Sequence, residues 1–224
     1  MLISHRHRFI YTKTMKTAGT SVEIYFEEAA LPLRHDFERG HRTEEIESLS
    51  GVVGVRGPTP PDARWYHHMP AAVIRAQVGP EVWASYYKFC VIRNPFDKAV
   101  SFWWHQIPAA ERRSMVGADF SVIRDSFREW IRPYAAGLVD RHTYMIDGKV
   151  AMDDFLRYES LVADLARVCA RVGFAYTPER LGQYKGGFRL HRAPFQDYYD
   201  AASARAVRDA FGFELEYFGY QLTA

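Results

Sequence analysis

The chain has 224 residues, with 29 Lys and Arg against 27 Asp and Glu, so its formal charge is only +2. That near-balance excludes the broad basic surface of a general polyanion or nucleic-acid binder. With 48% hydrophobic and 25% charged residues, the composition also excludes disordered and fibrous classes and provides a core of useful size.

In chain order, Arg8 to Thr12 reads as a short strand, Thr14 to Ser21 as a small polar turn, and Val22, Ile24, Tyr25 and Phe26 open a helix running to Ala30. Upstream, His5 and His7 flank Arg6 in what reads as a solvated strand edge. Residues 31–66 are charged and then rich in Gly and Pro, which suits a surface excursion or a substrate-facing lid. Gly51, Gly54 and Gly57 are not a dinucleotide fingerprint, since no helical pattern follows them. Ala71, Ile74 and Val78 predict a helix that Gly79-Pro80 stops. Lys88 to Ile92 is a continuous apolar run, as in a parallel strand covered on both faces. Asn94 is a natural N-cap, with Pro95 at the first helical position and Asp97 in the first turn, for a helix through Trp103 and Trp104 that Pro108 ends. Phe155 to Tyr158 predicts another strand, Ser160 to Val172 a helix stopped by Gly173, and Asp200 to Phe211 a helix closed by Gly212. This alternation predicts an α/β fold with a mostly parallel central sheet flanked by helices, in one domain over residues 1–224.

Cys90 and Cys169 read as small buried hydrophobes, which fits a reducing compartment. The opening MLISHRHRFIYTKT lacks an apolar signal core and no window suits a membrane span, so a cytoplasmic, unanchored protein is expected. The nine His are scattered without metal-ligand spacing, and no metal is expected.

A strand that enters a small-residue turn and leaves as a helix presents free backbone N–H groups and a helix dipole at one point, where anions bind. Lys16-Thr17-Ala18-Gly19-Thr20-Ser21 has that form, with Gly19 allowing close approach and Lys16 supplying the cation. Against the nucleotide-triphosphatase P-loop, Thr20 stands where the lysine belongs, and the cation has moved upstream. Arg93 ends the second strand, and Ser101 lies two helical turns beyond it.

Together, Lys16 to Ser21 and the run Val91-Ile92-Arg93-Asn94-Pro95-Phe96-Asp97-Lys98-Ala99-Val100-Ser101 resemble the two cofactor-binding motifs of the sulfotransferases, most nearly the carbohydrate sulfotransferase-related group. The resemblance extends to His68-Met69-Pro70-Ala71, Leu156-Arg157-Tyr158-Glu159, Gly186-Gly187-Phe188-Arg189 and Glu216 to Tyr220, and is weakest over residues 31–66. It implies a P-loop-like three-layer sandwich and use of 3′-phosphoadenosine 5′-phosphosulfate (PAPS), with release of 3′,5′-ADP. By position, Lys16, Thr17, Ala18, Gly19, Thr20 and Ser21 would hold the 5′-phosphosulfate, Arg93 and Ser101 the 3′-phosphate, and Lys185 or Arg189 a second cation over it. Lys16 would stabilise the leaving oxygen, and His68 would take the acceptor's proton, with Glu23 a weaker candidate base. The implied partner is a carbohydrate or small-molecule hydroxyl or amine, without nucleic acid or membrane insertion; a homodimer is compatible.

Two other readings stay open. A P-loop kinase lacks here both its Gly-Lys-Ser/Thr order and an evident Walker-B acid. A noncatalytic nucleotide- or RNA-binding module should carry a basic face with exposed aromatics, which is not evident. Residues 1–22, 88–96 and 180–196 hold ten Lys or Arg and no acid, so the small total charge conceals local cationic segments.

Overall fold

The computed structural model describes residues 1–32, 42–182, 184 and 187–222. The chain begins with β1 (Leu2–Ser4) and β2 (Phe9–Tyr11), whose register pairs Leu2 with Tyr11 and Ser4 with Phe9. The connecting turn is too short for a crossover, so the two strands must run antiparallel. Next come α1 (Gly19–Ala30), the hairpin β3 (Ile46–Ser48) and β4 (Gly51–Val53), α2 (Ala71–Ser85) and β5 (Tyr87–Ile92). Then follow α3 (Pro95–Gln106), α4 (Ala109–Ser114), α5 (Phe120–Tyr134), the small ladder β6 (Met145–Ile146) and β7 (Lys149–Val150), and β8 (Asp154–Arg157). The last helices are α6 (Leu161–Val172), α7 (Ala201–Ala210) and α8 (Gly212–Phe218). No described helix is long and apolar enough to cross a membrane.

The main sheet has six strands in the order β3-β4-β1-β2-β5-β8. It is mixed, which corrects the expectation of a mostly parallel sheet. Only β2 with β5 and β5 with β8 are parallel, and the pairs involving β1, β3 and β4 on the other side are antiparallel. For β1 with β2 and β3 with β4 the reason lies in tight turns, which return the chain before any helix can intervene. The stretch 31–66 therefore supplies part of the sheet, with Val52, Val53, Val55 and Trp65 buried. Gly51 is required there by space, because a Cβ would lie 2.1 Å from the Ile3 carbonyl oxygen of the neighbouring strand. Residues 33–41, which the proposed lid would include, lie outside those described.

The chain divides into two compact units, the first made of Met1–Ile92 with Asp140–Tyr184 and the second of Arg93–Val139 with Lys185–Ala224. The first is α/β. Side chains alternate along its strands, so Phe9, Tyr11, Phe89 and Val91 pack with Tyr25 and Phe26 of α1 and Leu165 and Val168 of α6, while Ile3, Ile10 and Val52 pack with Ile74 of α2 and Trp65. Both faces of the sheet are thus covered by helices. Cys90 and Cys169 are buried thiols here. His5 and His7 lie in the turn between β1 and β2 rather than on a strand edge, half-buried, with a ring nitrogen of His7 3.1 Å from the Val172 carbonyl and one of His5 2.9 Å from the Tyr86 hydroxyl.

The second unit is helical, and its core joins Phe96, Trp103 and Trp104 of α3 to Phe127 and Ile131 of α5, Val207 of α7 and Tyr198. Asn94 caps α3 by accepting from the Phe96 N–H at 3.0 Å, with Pro95 at the first helical position. Asp200 and Ser203 cap α7 reciprocally, at 2.7 and 2.9 Å. Two helix ends differ from expectation. The α2 run breaks at Gly79 (φ 81°), but Pro80 starts a further turn, and Gly212 opens α8 rather than only closing α7.

Candidate functional site

In the first unit the chain leaves β2 at Tyr11 and reaches α1 at Gly19 through a loop with unusual backbone. Lys16 (φ 59°) and Ala18 (φ 60°) are both left-handed, with Thr17 between them at negative φ. Alternation of hand turns successive N–H groups toward one side and makes an anion-binding concavity. Among the described residues, none accepts a hydrogen bond from the N–H groups of Thr17, Ala18, Gly19 or Thr20. Ala18 is also the N-cap of the 12-residue α1, so the positive end of the helix dipole adds to the same point. Non-glycine residues in this region cost about 1–3 kcal/mol each, a strain typical of ligand-binding backbone.

The loop is held rigidly. Thr12 N–H donates to the Phe89 carbonyl at 3.1 Å, and Thr14 Oγ1 donates to the Val91 carbonyl, which ties the loop to the adjoining end of β5. Met15 N–H donates to Asp140 Oδ2 at 2.6 Å. Gly19 has no room for a side chain, since a Cβ would meet Lys13 Cγ at 2.9 Å and the Tyr11 hydroxyl at 3.2 Å.

The side chains expected at the 5′-phosphosulfate fall into two groups. Lys16 and Thr20 are half-buried at the loop surface. Thr17 is buried, its hydroxyl 2.7 Å from that of Thr14, so this residue offers the loop its N–H rather than its side chain. Ser21 is buried as well, and its Oγ accepts from the Tyr184 N–H at 3.4 Å.

His68 reaches the back of the same loop. Its Nδ1 lies 2.9 Å from the Lys13 carbonyl oxygen. A carbonyl can only accept, so Nδ1 carries the proton and Nε2 is the acceptor. Burial, then the Lys13 ammonium, push the His68 pKa down to about 3, and the ring is neutral at physiological pH. His67 is lowered too, again chiefly by burial.

Glu23 is a structural acid, which removes it as a candidate base. It is fully buried, 2.5 Å from Lys13 Nζ and 3.1 Å from the Met1 amino group. Burial pushes its carboxyl up, but Lys13 and the Met1 amino group outweigh that and hold it at about 2. Next to it, Glu27 binds both Arg42 and, at 3.2 Å, Arg56.

The second unit carries the other expected cations. Arg93 places Nε and Nη2 at 2.9 and 2.7 Å from Asp97 Oδ2, and Arg189 Nη1 lies 3.2 Å from Asp97 Oδ1. Arg93 and Arg189, 96 positions apart in sequence, therefore converge on one carboxylate. Ser101 follows Asp97 by four residues along α3, on the same helix face. Lys185 lies outside the described residues.

Sequence reasoning did not find Asp97 as a shared partner, Asp140 as a loop anchor or Lys13 with Glu23 as a buried pair. Only the first left a signal, the i,i+4 spacing of Arg93 and Asp97. No family model matches the chain, and no curated protein matches it.

Proposed function

We propose that the chain is a sulfotransferase that moves a sulfuryl group from PAPS to a hydroxyl or amine of a carbohydrate or small-metabolite acceptor, by in-line displacement with release of 3′,5′-ADP. One observation carries this reading: the N–H groups of Thr17 to Thr20, without acceptors among the described residues, at the start of a helix and beside Lys16. That donor set fits a phosphosulfate, and the upstream lysine is where the sulfotransferase resemblance requires a cation. The β2-loop-α1 unit and its parallel neighbour β5 would form the P-loop-like part of the fold.

When bound, PAPS supplies an activated sulfuryl group and a stable leaving anion. The loop orients the 5′ end through its N–H groups, and Lys16 stabilises charge that grows on the departing oxygen. Arg93, Ser101 and Arg189 take the 3′-phosphate. His68 accepts the proton of the acceptor at Nε2. Its low pKa belongs to the ligand-free loop, and a nearby anion opposes the effect of Lys13 and raises its basicity. Buried thiols and the lack of a described membrane-spanning helix support action in a reducing cytoplasm.

The test is a titration of the purified protein with 3′,5′-ADP and with ATP, both without magnesium, followed by transfer assays with labelled PAPS across hydroxyl and amine acceptors. Tight binding of 3′,5′-ADP is expected. Binding of ATP alone would sink the proposal in favour of a kinase.

A further inference from the structure

Asp97 divides its two oxygens between two arginines. Oδ2 receives both contacts from Arg93, and Oδ1 receives Arg189. All three side chains are largely withdrawn from water, at 10% exposure for Arg93, 14% for Asp97 and 26% for Arg189. Two guanidinium groups repel one another more strongly where water is scarce, so a carboxylate between them sets how closely they can be held.

Other contacts fix Arg189 from its own segment. Its Nη2 donates to the Ala193 carbonyl, and its guanidinium lies 5.2 Å from the Tyr198 ring centroid. The preceding residue, Phe188, is gripped between the His105 ring at 4.8 Å and the Arg112 guanidinium at 4.6 Å. Even so, Arg189 Nε is buried with no hydrogen-bond partner among the described residues. A purely structural ion pair seldom leaves such a donor unsatisfied.

We infer that Asp97 is a positioning residue: it holds Arg93 and Arg189 as one fork for the 3′-phosphate of the nucleotide, an inference that rests on the sulfotransferase reading. Paired guanidinium groups present parallel donors that suit a phosphomonoester dianion, but only in fixed orientation. Asp97 itself carries the wrong charge to touch that group. Its effect is exerted through the arginines.

The readout is the preference for 3′,5′-ADP over 5′-AMP, which differ by the 3′-phosphate alone, measured by calorimetry on the whole chain. In Asp97→Asn the preference should fall by about 10- to 100-fold, the range for partners that orient a binding group, with 5′-AMP affinity unchanged. In an Arg93→Gln background the same substitution should have a much smaller effect, because the two residues act as a unit. An undiminished preference in folded Asp97→Asn, or equal losses for both nucleotides, overturns the inference. If Asp97→Asn does not fold, Asp97→Glu keeps the charge and shifts the carboxylate: reduced preference supports positioning, and an unchanged preference overturns it. A wild-type protein that binds both nucleotides equally would instead overturn the sulfotransferase reading itself.

Discussion

Under the proposed function the β2-α1 loop and the Arg93-Asp97-Arg189 cluster would each hold an anionic group, but they are made of different material. The loop uses main-chain donors, strained left-handed residues at Lys16 and Ala18, and a glycine with no room for a methyl group. The cluster uses long side chains, held by a carboxylate with charge opposite to theirs. A backbone site is fixed when the chain folds, whereas a side-chain site must be kept in place by its neighbours. The two should therefore fail differently when altered.

The largest contrast is kinetic. Lys16→Ala should reduce turnover about 10²- to 10³-fold, because a donor aimed at developing charge acts mainly in the transition state. Arg93→Gln should instead raise KM for PAPS while kcat changes little, as expected of a group that binds ground state and transition state alike. Steady-state kinetics on both variants check this. If both lower kcat equally, the division of labour is wrong.

Acid should expose the loop's foundations next. Glu23 is held at about 2 in the folded chain against an ordinary value of 4.5, so its contribution is present above pH 4.5 and is lost as pH falls toward 2. The loss amounts to roughly 3 kcal/mol, and Glu23→Gln should flatten the stability curve over that window in urea titrations. His68 acts in the same direction over a higher window. Between pH 6.5 and about 3 the unfolded chain takes up a proton that the folded chain refuses, so stability falls with pH there, and His68→Asn should remove that part of the slope.

Smaller effects separate space from strain within the loop. Gly19→Ala forces a methyl group against Lys13 and Tyr11, and overpacking of this kind costs about 1–3 kcal/mol. Ala18→Gly should do the opposite and stabilise by roughly 0.5 kcal/mol, since relief of the left-handed conformation exceeds the extra freedom of the unfolded chain. Denaturant midpoints measure both. A destabilised Ala18→Gly would show that the strain attributed to the loop is not there.

Local signals were legible in the sequence, and pairings across long separations were not. The caps of α3 and the glycine that ends α6 follow from one or two residues, as do the apolar runs of β2 and β5. The antiparallel half of the sheet was hidden because β1, β3 and β4 are short and sit among polar or turn-forming residues, with His5-Arg6-His7-Arg8 after β1 and Leu49-Ser50 joining β3 to β4. In the candidate site, the small-residue turn from Thr17 to Ser21 marked the strand-loop-helix passage from β2 to α1, yet its supports did not announce themselves. Asp140 comes from 125 positions away, and Lys13 meets Glu23 only because the loop folds back over the start of α1.

The threonine pair inside the loop fixes the direction of two protons. Thr14 has a single hydroxyl proton and gives it to the Val91 carbonyl, so the Thr17 proton is shared between the Thr14 hydroxyl at 2.7 Å and the Thr14 carbonyl oxygen at 3.3 Å. The polarity of this short relay runs inward, from Thr17 toward the end of β5. The buried Thr17 hydroxyl has no proton left to offer a ligand, so under the proposed function the anion would be held through the N–H groups without help from that hydroxyl.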